Sequence, residues 1–508
     1  MNFARHYCTL RSVSMADSST KQRRSRRRRQ THALRAPRPL VTLWRVLRRT
    51  LSACRESLIL NSLPLLINLA AASLWWYSIP VLSGGIDQFK LYWFENTEQD
   101  EALTYTFEVY KQLTQFFGYA LASALMLGRI WEFLLFIRWE RSLVVLLGLL
   151  AATSIVSDYP VKVFTNCFHL AFGFVSIWLF CRHPVVRQSP SASSFVLVLI
   201  PTLAIQLLNL LIWLVHPEAS WSELFTDRRM GGLGGNPNTL GAISLVSVWA
   251  LTGLMCRSSF KERMWWIQLS LLAVVLFNLM GTGSATAQTL SGIIVLAMVG
   301  NLFYVSLAAR NRIILIMGCT TIALGLVFYL LTMQSGSDIT TAATGAVGKD
   351  VTLTGRVDLW EIGISAFIER PVFGWGYDGH QTVFEDPRFG IGHNHYHSGV
   401  IDTLVNGGVV GLLAVLFVLK QFFSRFLTLK GRGERAFPML VIIGVGVVHN
   451  LTEYSIFRPN ITLWSVWTLA FMSVAVSARQ ELAADDVTVR RRRKKVAQTG
   501  TRTRAASW

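Results

Sequence analysis

The chain has 508 residues, 52% of them hydrophobic, and carries 49 Lys and Arg against 29 Asp and Glu, a formal net charge of +20. Its apolar residues fall in long runs rather than in alternation, which excludes an ordinary soluble domain and indicates a polytopic membrane protein. The positive charge gathers in the tails, nearly unbroken over Lys21–Arg29 and unbroken over Arg490–Lys495, so it fits the positive-inside rule and anionic lipid rather than nucleic acid.

A basic tail, residues 1–57, precedes the first apolar run, which therefore reads as an anchor and not as a cleaved signal. At about 20 residues per crossing, twelve spans are predicted. They lie near 58–82, 106–128, 143–156, 162–181, 194–216, 239–256, 264–281, 287–308, 313–333, 399–419, 437–457 and 461–477. The second carries Lys111 and Gln115 and the third is short, so either can be tilted or broken. Nine spans thus occupy 58–333, a large loop fills 334–398, three more spans occupy 399–477, and a basic tail closes the chain at 478–508. The fold class expected is an all-α polytopic membrane protein with about 12 transmembrane helices and one large helical loop on the outward side.

Charge provides an independent test of this order. With the N-terminus inside, fifteen Lys and Arg fall on inward connections and nine on the longer outward ones, which places both termini in the cytoplasm. Six cysteines, Cys8, Cys54, Cys167, Cys181, Cys256 and Cys319, form no CxxC pair, so neither a disulfide framework nor a thiolate metal site is expected.

Two outward segments, 218–238 and 334–398, are separated by four spans and hence share a face. The large loop opens on a Ser/Gly/Thr/Ala-rich stretch, Ser335–Gly348, turns helical from Arg356 to about Ile368, and stops at Pro371, Gly374 and Gly376. Arg356 at that helix start combines unpaired backbone N–H groups with a guanidinium suited to a phosphate; the plainer reading is an arginine meeting lipid headgroups. Arg229, with Arg228 as an alternative, precedes Gly231–Asn238, a glycine-rich turn that lets backbone approach a ligand and offers Asn236 and Asn238. His393, Asn394, His395, Tyr396 and His397 admit a single general base, a zinc site if the three imidazoles share a face, or a plain interface lining. Asp358, Glu369, Asp378 and Glu385 can orient His393 or bind ligand hydroxyls. Glu453 lies in an apolar run, where an unpaired charge is costly, and Arg458 is its expected partner.

Thr352-Leu353-Thr354-Gly355-Arg356 with Trp360, Arg370-Pro371, Gly374-Trp375-Gly376-Tyr377, His393-Asn394, the Arg229–Asn238 element, Ser157-Asp158-Tyr159-Pro160 and Asn450-Leu451-Thr452-Glu453 together resemble the O-antigen ligase/polymerase family, over about residues 140–475. The resemblance implies a GT-C-like glycosyltransferase of the bacterial inner membrane that inverts at the anomeric carbon, with the large loop and the site on the periplasmic face. Its donor would be an undecaprenyl-diphosphate-linked glycan and its acceptor a sugar or a lipid-linked glycan. His393 then takes the acceptor proton and Arg356 and Arg229 hold the diphosphate. Arg228, Asn236, Asn238, Asp358, Arg370, Asn394, His395, Tyr396, His397 and Glu453 bind substrate, with no metal and no cofactor. Membrane lipids and other polysaccharide-export proteins are the further partners implied. Gly283-Ser284 departs from the Ser-Arg of many relatives. The Thr-Leu-Thr-Gly-Arg string is similar to exopolysaccharide-production polymerases; a ligase acting on lipid A core stays open, as does a polysaccharide transporter or flippase.

Overall fold

The computed structural model describes residues 113, 116–222, 229–234, 236–306, 356–377, 380–386, 388–389, 395–429, 436–458 and 462–505. The expected spans near 58–82 and 313–333 lie outside them. Within them the regular structure is helical apart from one antiparallel ribbon of two-residue strands, β1 (Trp221–Ser222) and β2 (Arg229–Met230).

The first helices, α1 (Phe116–Leu127) and α2 (Ile130–Trp139), meet at 93°. Next come α3 (Arg141–Ala152), α4 (Pro160–Arg182), α5 (Pro184–Gln188), α6 (Pro190–Val215), α7 (Pro237–Met255), α8 (Arg263–Gly281) and α9 (Ala285–Ser306). The large loop supplies α10 (Arg356–Glu369) and α11 (His380–Glu385), and the chain ends on α12 (Gly399–Thr428), α13 (Phe437–Thr452) and α14 (Thr462–Ala505). Six described helices are long and apolar enough to cross a membrane: α4, α6, α7, α8, α9 and α12; the bent pair α1/α2 would make a seventh. The all-α polytopic class is thus borne out, while the count of twelve includes spans beyond the described residues. The third expected span is α3 with the 3₁₀ turn Thr153–Ile155, and the eleventh is the 16-residue α13, both shorter than a typical crossing.

Sequence dictates where these helices start. Proline stands in the first turn of α4, α6, α7 and α13, where a missing N–H costs nothing because the first helical donors have no partner in any case. The most enclosed helix is α7, whose Trp249 is fully buried, packs edge-on against Phe195 at 4.8 Å and donates its indole N–H to the Pro438 carbonyl at 2.8 Å. Ser244 and Ser247 on the same helix return their hydroxyls to the carbonyls four residues back, which satisfies them without water.

α12 is broken at Gly408, which sits at φ 60°, ψ −159°. The loop after α10 takes up the backbone groups this releases. Trp375 N–H donates to the Val405 carbonyl at 2.8 Å, and the N–H groups of Val409 and Val410 donate to the carbonyls of Pro371 and Val372 at 2.9 and 3.2 Å. A Cβ on Gly408 would stand 2.3 Å from the Val372 oxygen, and one on Gly374 (φ +65°) 2.3 Å from the Val405 oxygen. Two glycines facing each other therefore let the loop clasp the broken helix, which is how irregular backbone is accommodated inside a membrane bundle.

Candidate functional site

Hydrogen bonds and close contacts link the turns 153–159, 229–234, 282–284, 371–377, 395–398 and 453–458 at one end of the bundle. The Arg229 limb is built by α7, α8 and β2. Arg229 Nε donates to the Thr282 carbonyl at 2.8 Å, and Nη2 donates to Asn238 Oδ1 at 3.1 Å. Gly283 lets the guanidinium lie close, since a Cβ there would be 3.2 Å from Nε. The departure marked in the sequence at Gly283 is thus part of the seat of Arg229. Asn236 caps α7 by accepting from Asn238 N–H at 2.8 Å, so both asparagines brace this limb.

Beneath it runs a chain of fully buried amides to which the sequence pattern gave no pointer. Asn209 Oδ1 accepts from Leu233 N–H at 3.1 Å, and Asn209 Nδ2 donates to Asn278 Oδ1 at 3.0 Å. Asn278 Nδ2 reaches the Gln206 carbonyl at 3.0 Å, and Gln206 Nε2 reaches Ser244 Oγ at 2.9 Å. Buried amides in an apolar bundle are stable only when so paired, and this chain fixes the glycine-rich turn that carries Arg229.

The second limb is the segment entering α12. His397 Nδ1 lies 3.2 Å from Glu453 Oε2; the carboxylate side chain is 9% exposed and the imidazole 26%. Neighbouring backbone holds Glu453 in place: its N–H donates to the His449 carbonyl at 2.8 Å, and its carbonyl accepts from Gly399 N–H at 2.8 Å. Asn450 ties the same turn by accepting from the N–H groups of Ser455 and Ile456 at 2.8 and 3.2 Å. His397 itself sits at φ 49°, a left-handed conformation that costs a side-chain-bearing residue about 1–3 kcal/mol and tends to occur where function holds it. The His395 ring packs on His397 and on Tyr454, with centroids at 4.1 and 4.0 Å. Arg458, named from sequence as the partner of Glu453, is joined instead to the buried Asp402, with Nη2 at 3.0 and 3.2 Å from its two oxygens, while Glu453 takes His397. Tyr396 is fully enclosed against Phe384, and burial, with Asp402 second, pushes its phenol well above the ordinary range.

The third limb is the loop helix. Trp360 of α10 donates its indole N–H to the Tyr396 carbonyl at 3.0 Å. Since Trp360 lies one turn, about 6 Å, from the first residue of α10, the backbone of Arg356 is brought beside the histidine segment. Arg370 donates to the Val156 carbonyl at 3.0 Å and stacks on Trp375 at 3.9 Å, and Tyr377 N–H donates to Thr153 Oγ1 at 2.9 Å while its hydroxyl reaches the Phe457 carbonyl. These contacts bind the loop to the 153–159 turn. Tyr159 donates to Glu385 at 3.2 Å, a bond that raises its phenol, and Glu369 pairs with Arg388 at 3.3 Å. Asp358 is exposed on α10.

Arg228, Asp378, His393 and Asn394 and the side chain of Arg356 lie outside the described residues. Among the described residues no three His, Cys, Asp or Glu side chains stand together as a metal site would require. The first two limbs meet directly: Thr286 Oγ1, one turn beyond Thr282, lies 3.2 Å from Thr452 Oγ1, next to Glu453.

Residues 270–416, which carry Thr282, α10 and the whole histidine segment, match the O-antigen ligase family. Over this stretch the chain is similar to the O-antigen ligase/polymerase family. It is also similar to the exopolysaccharide production protein ExoQ of Rhizobium meliloti (strain 1021), with 36% identity over 128 residues, 23% of this chain and 29% of that protein. The aligned stretch thus spans less than a third of this family relative.

Proposed function

We propose that this protein is a membrane glycosyltransferase of the O-antigen ligase/polymerase family that lengthens or transfers undecaprenyl-diphosphate-linked oligosaccharide repeats at the periplasmic face of the inner membrane. The name of the similar protein, an exopolysaccharide production protein, favours polymerisation over ligation to lipid A core. The observation that carries the reading is the buried Glu453 carboxylate on His397, joined through Thr452 and Thr286 to the limb that holds Arg229.

In this mechanism the Glu453 carboxylate accepts Nδ1–H of His397, which leaves the lone pair of Nε2 to take the proton of an acceptor hydroxyl. The freed oxygen attacks the anomeric carbon from the face opposite the leaving group. As the new C–O bond forms, the bond to the lipid diphosphate breaks and its electron pair leaves with the phosphate oxygen. A diphosphate departs already ionised, so it requires cations rather than a proton donor; Arg229 and Arg356 serve that end. General-base assistance of this kind contributes about 10²–10⁴ in rate. His397 takes the base role here because an orienting carboxylate lies on it; His393, which the resemblance named, is outside the described residues.

The test is the product made by purified protein from a labelled lipid-linked repeat, with and without lipid A core as acceptor. Chain lengthening alone supports the polymerase, and label on lipid A core would assign the ligase. Movement of the repeat across a liposome bilayer with no new glycosidic bond would replace the enzyme by a transporter.

A further inference from the structure

α4 starts beside the turn 153–159 and ends 23 residues later at Arg182, about 35 Å away at the other end of the bundle. There α4, α5 and α14 each bring an arginine toward one carboxylate of α2. Arg182 pairs through Nη2 with Glu132, and its Nη1 is buried with no hydrogen-bond partner among the described residues. The side chains of Arg187 on α5 and Arg479 on α14 make no hydrogen bond or ion pair among the described residues. Partial burial and the Arg182 charge hold both of these guanidinium groups below their ordinary range, with Glu132 opposing, so each lies within electrostatic reach of Arg182 and Glu132. Two of the cations share an aromatic floor: Arg182 lies over Trp178 at 5.4 Å and Arg479 over Phe136 at 5.8 Å, and the two rings stand 6.1 Å apart.

Three guanidinium groups against one carboxylate leave a local excess of positive charge that suits a phosphate. An amine would find no carboxylate waiting, since Glu132 is already taken by Arg182. The neighbouring surface says where the phosphate comes from. α2 turns 93° away from α1, and Trp131, Leu134 and Leu135 on one of its faces are exposed while Phe136 packs into the core. A short helix that presents aromatic and aliphatic side chains beside a cluster of cations has the character of an interfacial helix, which meets acyl chains and headgroups together. We infer that this cluster binds the phosphodiester of an anionic membrane phospholipid, its phosphate held by Arg187 and Arg479 against the Arg182 charge and its acyl chains along the Trp131–Leu135 face of α2. The site lies away from the proposed chemistry and does not depend on it.

The experiment is native mass spectrometry of the full-length protein from detergent micelles doped in turn with phosphatidylglycerol and phosphatidylcholine. Phosphatidylglycerol should be retained about fivefold or more over phosphatidylcholine, the worth of roughly one basic residue at an anionic headgroup. Arg187→Ala and Arg479→Ala should each lower phosphatidylglycerol retention about fivefold and leave phosphatidylcholine unchanged. Because Arg187 is exposed, its variant should melt with the parent, which separates lost binding from lost folding. Arg263→Ala, which removes a cation from the start of α8 at the same end of the bundle, should change retention by less than about twofold. Equal retention of the two lipids, unchanged retention in both cluster variants, or an equal loss in Arg263→Ala would overturn the assignment. Displacement of the lipid by millimolar inorganic phosphate would overturn it in favour of a soluble-anion site.

Discussion

Glu453→Gln is the substitution that probes the proposed chemistry most sharply, because it preserves volume and the backbone bonds to His449 and Gly399 while removing the charge. At a 3.2 Å separation, a carboxylate stabilises a developing imidazolium by about 5 kcal/mol at an effective dielectric constant near 20. The imidazole is one quarter exposed, so solvent screens part of this; about 3–5 kcal/mol corresponds to a 10²–10⁴-fold loss in turnover. The amide adds a second effect of the same sign. Its NH₂ can donate to Nδ1, which places the imidazole proton on Nε2 and deprives the acceptor hydroxyl of its base. The assay is single-turnover transfer from a labelled lipid-linked donor, alongside donor affinity and thermal melting of the same preparation. Turnover should fall at unchanged donor affinity and unchanged melting. Turnover within threefold of the parent, or a loss confined to donor affinity, would refute the orienting role.

Gly408→Ala should destabilise by more than the roughly 1–2 kcal/mol of a left-handed alanine, because its Cβ also meets the Val372 carbonyl; an unchanged tryptophan-fluorescence melt would show that the clasp can relax at no cost. Arg370→Ala should lower the melting temperature through loss of the Val156 bond and the Trp375 stack, about 1–3 kcal/mol together, with donor KM unchanged; a raised KM in a stable variant would return Arg370 to the substrate. Arg356→Lys should lose most activity despite the retained charge, since an ammonium does not reproduce the planar fork; near-parental turnover would remove the bidentate contact from the scheme.

Hydropathy made most of the long helices legible, and Asn236-Pro237-Asn238 announced the capped start of α7 that braces Arg229. Periodicity did not reveal the break in α12, because Asn406-Gly407-Gly408 reads equally as a small-residue stripe in a continuous span until the Pro371–Trp375 backbone is seen beside it. Nearness in sequence points Glu453 to Arg458, whereas the fold pairs each with a residue 56 positions away, His397 and Asp402 respectively. Such pairings depend on how the start of α12 lies against the end of α13, which local pattern does not encode. The amides of Gln206, Asn209 and Asn278 are not legible in the sequence because a lone polar residue in an apolar run has no signature of its own; only three helices together show that they form one chain.

In the proposed mechanism one imidazole, His397 oriented by Glu453, deprotonates the acceptor while arginines hold the diphosphate. The measurement that tests it most directly is transfer by purified His397→Ala and His393→Ala proteins, each with the parent assayed in EDTA. The parent should survive chelation, His397→Ala should lose about 10² or more in turnover while still binding donor, and His393→Ala should retain a substantial fraction. Loss in His393→Ala with an active His397→Ala would move the base to the residue that the resemblance named, and loss of the parent's activity in EDTA with rescue by zinc would contradict the metal-free mechanism.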